Sequence, residues 1–404
     1  MPALRKVKIC GTIPQRILRK GAADMNKVLP WLKDYFRRAD MLLFFLCIAC
    51  SVFGIVIISS ATKSYETTKY VVVQTMALMI GIFLYVVMTV IDVDILADKW
   101  VLLAVFNVVL LSTLIFFGEE SETGNSGWLR FFGIGIQPSE VVKITYIIMM
   151  AKHISYLKEY KDLNAIVSVA QLVIHFIAIF GLLLVTSKDL GSALVYFFIF
   201  AVMLFAGGLK LHWFAIGLAG IAAVTPIVWN HFLEDYQKLR ILAPYDPTID
   251  PTGYGVSWHA KQSKLALASG RLTGTGLGNG PQSQSDAIFA KHSDFIFAVV
   301  GEELGMIGCC AVLFLLLLVI IRCIVVGLRS KDTLSMLVCF GVASTVIFQT
   351  FENIGMCIGI APVVGITLPF FSYGGSSLFS MFAAMGLVSG VRYRPKPERY
   401  KMYR

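Results

Sequence analysis

The chain has 404 residues, is 57% hydrophobic and only 15% charged, and carries a formal net charge of +10. A soluble globule of this size cannot hide that much apolar surface, and repeated apolar runs of about 20 residues identify an all-α polytopic membrane protein. The basic residues sit in tails and short loops between the runs, a topology pattern that excludes nucleic acid as the partner the net charge would otherwise suggest.

In chain order, ten spans are expected, at 41–60, 70–91, 100–117, 137–151, 164–186, 190–206, 213–229, 295–321, 334–360 and 376–390. With the N-terminus inside, most Lys and Arg fall on the inner side, so both termini are expected to be cytoplasmic. Residues 1–40 then form a basic cytoplasmic tail without a cleavable signal, 41–391 the ten-helix membrane domain, and 392–404 a second basic tail. The N-terminal tail carries Arg5, Lys6, Lys8, Arg16, Arg19 and Lys20. It is foremost a topology signal, with contact to anionic lipid as the second reading. Segment 230–293 is one large extracytoplasmic loop, between helices 7 and 8, rich in Pro, Gly, Asp and Ser. At that length it is expected to be functional. The eight cysteines show no zinc or redox spacing and the six histidines are scattered, so neither predicts a metal centre.

Polar residues near membrane depth are functional candidates by default. The fourth span carries Gln137, Glu140 and Lys143; Glu140 and Lys143 share a helix face and can neutralise each other. Asp189 precedes the sixth span, Asp294 opens the eighth, Glu302 and Glu303 lie inside it, and Glu352 lies in the ninth. On the assigned topology Trp128, Arg130, Gln137, Asp189, Asp294 and the 361–376 turn share the outer side, so one outward-facing polar site is expected. Asp294 can simply cap its helix. Ala298, Gly301 and Gly305 fall near the same face, either as a slot below the carboxylate or as a close packing stripe. Glu302 and Glu303 point elsewhere and read as structural polar residues. Trp128 and Arg130 suit an interfacial anchor, or a sugar-stacking ring with a phosphate-binding guanidinium. The stretch "GTGLGNG" at 274–280 lacks a phosphate-loop ending and reads as a turn. The stretch "LPFFSYGGSSL" at 368–378, which contains Ser376 and Ser377, reads as broken helix where protein or water satisfies the backbone.

Five stretches together resemble the SEDS family, the RodA/FtsW/SpoVE-type proteins: "GWLRFFGIGIQPSEVVK" (127–143), "DLGSALV" (189–195), "GTGLGNGPQ" (274–282), "HSDFIFAVVGEELGMIG" (292–308) and "NIGMCIGIAPVVGITLPFFSYGGSSL" (353–378). The resemblance runs from the first span to the tenth, in order. It implies a peptidoglycan glycosyltransferase that polymerises lipid II, an undecaprenyl-linked disaccharide peptide, on the outer face of the bacterial cytoplasmic membrane. It also implies a class B penicillin-binding protein, a transpeptidase, as partner, in elongation, division or sporulation. Carried over by motif, Asp294 is the essential carboxylate, Trp128 is the motif tryptophan, and Lys143 is expected to meet Asp189. Three departures stand out: Ser293 replaces Thr, "GNSGWLR" lacks the base before the tryptophan, and Trp258-His259 replaces Tyr-Gln.

The implied reaction needs a base for a sugar hydroxyl and cations for a leaving pyrophosphate. Asp294 is the expected base, inverting the anomeric centre in one displacement. Arg130, Arg271 and Lys291 are candidate pyrophosphate partners, with a divalent cation, magnesium or manganese, sharing the task. Ser376, Ser377 and Gln137 are expected near the substrate. The rival readings are a lipid-precursor flippase or other carrier, for which a midplane site and repeats would be expected, and a non-catalytic scaffold docking the transpeptidase.

Overall fold

The structure is a computed structural model and describes residues 30, 33–118, 127–131, 134–231, 233–246, 248–285 and 287–394. Most of the basic N-terminal tail, nearly all of the C-terminal one and part of the 118–136 loop therefore lie outside the described residues. Helices dominate. In order they are α1 (Met41–Ala61), α2 (Lys69–Val90), the short α3 (Val93–Asp98) and α4 (Trp100–Phe117). A small hairpin follows, β1 (Leu129–Phe131) paired antiparallel with β2 (Ile134–Ile136), with Arg130 opposite Gly135. Then come α5 (Pro138–Tyr160), α6 (Ile166–Ser187), α7 (Leu190–Gly207), α8 (Leu211–His231), the loop helices α9 (Asp235–Leu242) and α10 (Trp258–Gly270), α11 (Ile296–Arg329), α12 (Thr333–Ile358) and α13 (Gly375–Tyr393).

Eight described helices are long and apolar enough to cross a membrane. Helices α5 and α13 carry more polar residues, yet both are largely buried among the others. Polar groups gather where neighbouring helices can satisfy them, and apolar side chains such as Phe83, Phe116 and Val185 face outward. The fourth and sixth spans, short in the apolar pattern, are full helices of 23 and 18 residues. The pattern ended early for α5 because its last turns carry Lys152, His153, Lys158 and Glu159. Helix α8 is the exception to the packing: none of its residues is buried.

One end of the bundle is locked by Asp40. Fully buried, it caps α1 through Leu43 N (3.1 Å) and takes Arg322 Nε of α11 at 2.8 and 3.1 Å. Arg392 of α13 lies 3.5 Å away, and the Asp40 carbonyl accepts from Tyr85 of α2 at 2.9 Å. The carboxylate thus ties three helices together, and the carbonyl of the same residue adds a fourth.

The apolar pattern of α11 suggested one continuous helix, and the structure breaks it. Gly305 adopts φ 66°, ψ −163°, a conformation open to glycine and strained for other residues. The freed carbonyls of Glu302 and Glu303 accept from Thr275 N and Gly276 N, both at 2.9 Å. The freed amides of Met306 and Ile307 donate to the carbonyls of Arg271 (2.9 Å) and Leu272 (3.2 Å). Residues 271–276, which run into the "GTGLGNG" loop, are therefore a plug in a helix break. This satisfies backbone groups that lipid could not.

Candidate active site

The other end of the bundle carries the polar motifs. Helix α5 starts at Pro138, whose missing N–H costs nothing in a first helical turn. Just before it, Gln137 N donates to Ser376 Oγ at the start of α13 (3.2 Å). The Gln137 side-chain amide donates to Asp189 Oδ2 (3.0 Å) and to Ser192 Oγ (3.3 Å). Asp189 caps α7, accepting Ser192 N at 3.1 Å on Oδ1 and Ser192 Oγ at 2.7 Å on Oδ2. The first turn of α7 lies against the 364–366 segment: a Cβ on Gly191 would stand 2.8 Å from the Val364 carbonyl.

That segment leads to Asp294. A Cβ at Gly365 would sit 3.5 Å from Asp294 Oδ2, and the φ of +74° there favours glycine in any case. The backbone before α11 is stitched to the α12–α13 turn at successive residues. The His292 carbonyl accepts Tyr373 N (2.8 Å), the Ser293 carbonyl accepts Ser372 Oγ (2.6 Å), and the Asp294 carbonyl accepts Asn353 Nδ2 (2.7 Å). Gln74 of α2 braces the same turn, donating to the Ser372 carbonyl (3.0 Å) and accepting Gly374 N (3.1 Å). Gln74 carried no motif signal; as a lone glutamine fully buried in an apolar run, its only sequence mark was its polarity.

Asp294 is half-buried and stands two residues before α11. Desolvation raises its carboxyl from the usual carboxylate range to about 6; the Asp189 charge adds to this, while the Ser293 hydroxyl and Arg240 oppose it. Arg240 lies on α9, and with Lys188, Asp189, Tyr236 and Val364 it lines a pocket beside the two aspartates. Sequence reading missed Arg240. It sits in a polar loop helix more than fifty residues from Asp294, where one arginine among several carries no distinguishing pattern.

Other expected residues find different surroundings. Lys143 pairs with Glu140 at 2.8 Å, both buried, rather than with Asp189, whose hydrogen-bond partners are Gln137 and Ser192. Lys291 is fully buried and donates to Ser64 Oγ (2.8 Å) and the Ser285 carbonyl (2.9 Å), so it is a prop within the protein rather than a free phosphate ligand. The Arg271 carbonyl meets α11 at the break, where Gly305 is eleven residues past Asp294 and so roughly 15 Å along the helix. The slot expected below Asp294 is filled, since a Cβ on Gly301 would meet Leu267 of α10 at 2.3 Å. Close packing explains that stripe. Glu302 holds the 280–284 loop through Gln282 N (2.8 Å) and Ser283 N (2.6 Å). Glu303 takes Ser60 of α1, Ser283 Oγ (3.0 Å) and Gln284 Nε2 (3.0 Å). Both serve structure, largely through a loop. Glu352 is buried on α12, with Oε1 lacking a partner. Ser376 and Ser377 lie at the start of α13, Ser377 beside the Thr367 hydroxyl (3.3 Å). Trp128 opens the hairpin with its ring over Gly135, and Arg130 is exposed on β1. Among the described residues no three His, Cys, Asp or Glu come together, and Asp189 is engaged by protein donors.

Comparison with known proteins agrees with this architecture. The peptidoglycan glycosyltransferase MrdB of Escherichia coli K12 is 35% identical over 291 residues, 72% of this chain and 76% of its own. The probable peptidoglycan glycosyltransferase FtsW of Wigglesworthia glossinidia brevipalpis is 32% identical over 388 residues, 94% of this chain and 99% of its own. A solved chain described under structural coordination of polymerization and crosslinking by a peptidoglycan synthase complex superposes with TM-score 0.74 and 28% identity. It covers 91% of this chain and 99% of that one. The rod shape determining protein RodA of Thermus thermophilus, solved as an aspartate-to-alanine variant, gives TM-score 0.65 and 26% identity over 88% of this chain and 97% of its own. Residues 40–396 match the model of the FtsW/RodA/SpoVE family, described as cell cycle protein, and the chain belongs to that family of multi-pass bacterial membrane proteins.

Proposed function

We propose that this protein is a peptidoglycan glycosyltransferase that polymerises lipid II into glycan strands at the outer face of the cytoplasmic membrane, with Asp294 as general base. One observation carries the reading: a carboxyl desolvated to a pKa of about 6 stands at the rim of an apolar bundle, beside a pocket lined by Arg240 and Lys188. A lipid-linked sugar pyrophosphate needs that combination, with greasy walls for the tail, cations for the phosphates and a base for the hydroxyl.

In the proposed reaction Asp294 takes the proton from the 4-hydroxyl of one disaccharide as its oxygen attacks C1 of another. The C1–O bond to undecaprenyl pyrophosphate breaks, and C1 is inverted. Arg240, Lys188 and, from the hairpin, Arg130 offset the charge developing on the pyrophosphate, with Trp128 as a sugar-facing ring. Asp189, held by Gln137 and Ser192, is a positioning residue that raises the basicity of Asp294. Ser376 and Ser377 help close the same rim.

The topology proposed with this is ten spans, both termini cytoplasmic, and loop 230–293 outside. The basic tails support it, and so does the alternation that leaves Asp40 and Asp294 at opposite helix ends. A class B penicillin-binding protein is the proposed partner, by likeness to the synthase complex. The test is glycan polymerisation from purified lipid II with that partner, comparing wild type with Asp294→Asn. Full activity in the variant rejects the base assignment. Lipid scrambling in vesicles without polymer favours a flippase.

A further inference from the structure

Beside Asp294, and sharing no residue with the cationic pocket, four rings form a cluster. His292 lies at its centre, with ring centroids 4.5 Å from Tyr70, 5.4 Å from Tyr373 and 5.9 Å from Tyr65. Tyr70 and Tyr373 meet edge to face at 5.0 Å, and Tyr65 lies 5.8 Å from Tyr70. The rings come from the α1–α2 turn, the start of α2, the segment before α11 and the turn before α13. We propose that this cluster is the acceptor-saccharide subsite, a stacking platform for the sugar whose hydroxyl Asp294 deprotonates. The assignment rests on the glycosyl-transfer reading above and adds to it the residues that hold the acceptor.

Ring clusters in a protein core are buried, as Tyr85, Tyr146, Tyr196 and Phe371 are here. These four rings are all half-exposed. Among the described residues neither the Tyr70 nor the Tyr373 hydroxyl has a hydrogen-bond partner, and neither is a buried atom, so both reach solvent. A tyrosine belt at the bilayer surface also leaves rings half-exposed, but it does not gather them around a histidine. Nor does a belt explain their register with Asp294. Tyr373 N is bonded to the His292 carbonyl (2.8 Å), two residues from Asp294 along the chain, so the backbone that carries two of the rings is tied to the segment that carries the base.

The cluster is braced and neutral. The buried Lys291 ammonium lies 4.7 Å from the Tyr65 ring centroid and fixes it through Ser64 and Ser285. Burial, with the Lys291 charge, lowers the His292 pKa to about 4, so the imidazole is uncharged at neutral pH. A neutral aromatic wall suits the apolar C–H face of a pyranose and offers nothing to a pyrophosphate. In an in-line displacement the entering hydroxyl and the leaving oxygen lie on opposite faces of C1. Two subsites of different chemistry are therefore required, and the pocket with Arg240 and the ring cluster supply one each.

The test uses the Asp294→Asn protein in detergent, so that nothing turns over, with a lipid-free tetrasaccharide of alternating N-acetylglucosamine and N-acetylmuramic acid as the probe. Binding is followed by saturation-transfer NMR. Tyr70→Leu and Tyr373→Leu are each expected to weaken binding about tenfold, the scale of one lost stacking contact. Tyr70→Phe and Tyr373→Phe, which keep the ring, should stay within about threefold of the parent. A melting curve accompanies each variant, and Tyr70, at the start of α2, gives the reading least tied to the turn. Equal affinity in the leucine and parent proteins overturns the subsite. If wild type fails to polymerise lipid II while ring-dependent binding holds, the activity reading falls, and with it the acceptor role of the rings, which are then a saccharide-binding surface alone. An active wild type with ring-independent binding rejects the subsite alone.

Discussion

Asn353 Nδ2 donates to the Asp294 carbonyl and to the Ile366 carbonyl, each at 2.7 Å, so one amide on α12 fixes the base to the extended segment that faces it. Asn353→Leu leaves both carbonyls without that donor inside the bundle. The expected cost is about 2 kcal/mol, read as a lower melting temperature. Polymerisation should fall further than the loss of folded protein explains, because Asp294 is no longer held against Gly365.

The pH profile should report Asp294. Its carboxyl, raised to about 6, is neutral below that value and ionised above it. A base must be ionised, so kcat/KM for lipid II is expected to fall about tenfold per pH unit below pH 6 and to level off above 7. Asp189→Asn removes a neighbouring negative charge and should move the inflection to lower pH. An unshifted inflection would break the link between the two carboxylates.

Arg240 should matter more than either Arg271 or Lys291. Arg240→Ala is expected to lower kcat about a hundredfold, the scale of one lost transition-state donor, with Arg240→Lys losing less. Arg271→Ala should leave kcat within about threefold of wild type, because that residue stands roughly 15 Å from the base. Single-turnover polymer yields compare the three.

Asp40 is expected to act on stability alone. Asp40→Ala strands Arg322 at a buried junction and removes the α1 cap, at about 3 kcal/mol, measured as a lower unfolding temperature in detergent. Activity per folded molecule should hold at 20 °C.

Gly270→Ala should prevent folding. A Cβ there would lie 1.8 Å from the Gly301 carbonyl oxygen, a backbone atom that cannot step aside. Loss of the monodisperse peak in size-exclusion chromatography is the readout.

Much of this layout was legible in the chain. The apolar runs located the helices because a bilayer permits little else, and Gln137, Asp189, Asp294 and Ser376 do share one end. What escaped reading depends on contacts between distant segments. Gly305 looked like one more small residue in a greasy helix, since nothing local says that residues 271–276 will enter the break. Lys291 looked available because burial by Ser64 and Tyr65 is a tertiary fact. The pairing of Lys143 with Glu140 followed from helical spacing, whereas the meeting with Asp189 came from the motif and is not what the side chains do.

The interrupted α11 also limits how substrates come and go. Withdrawing the 271–276 segment would leave four peptide groups of α11 unbonded, at roughly 1–3 kcal/mol each. Such an excursion would occupy fewer than about one molecule in a thousand. That stretch of the loop is consequently no hinged lid, and any path by which a precursor reaches Asp294 must leave it in place.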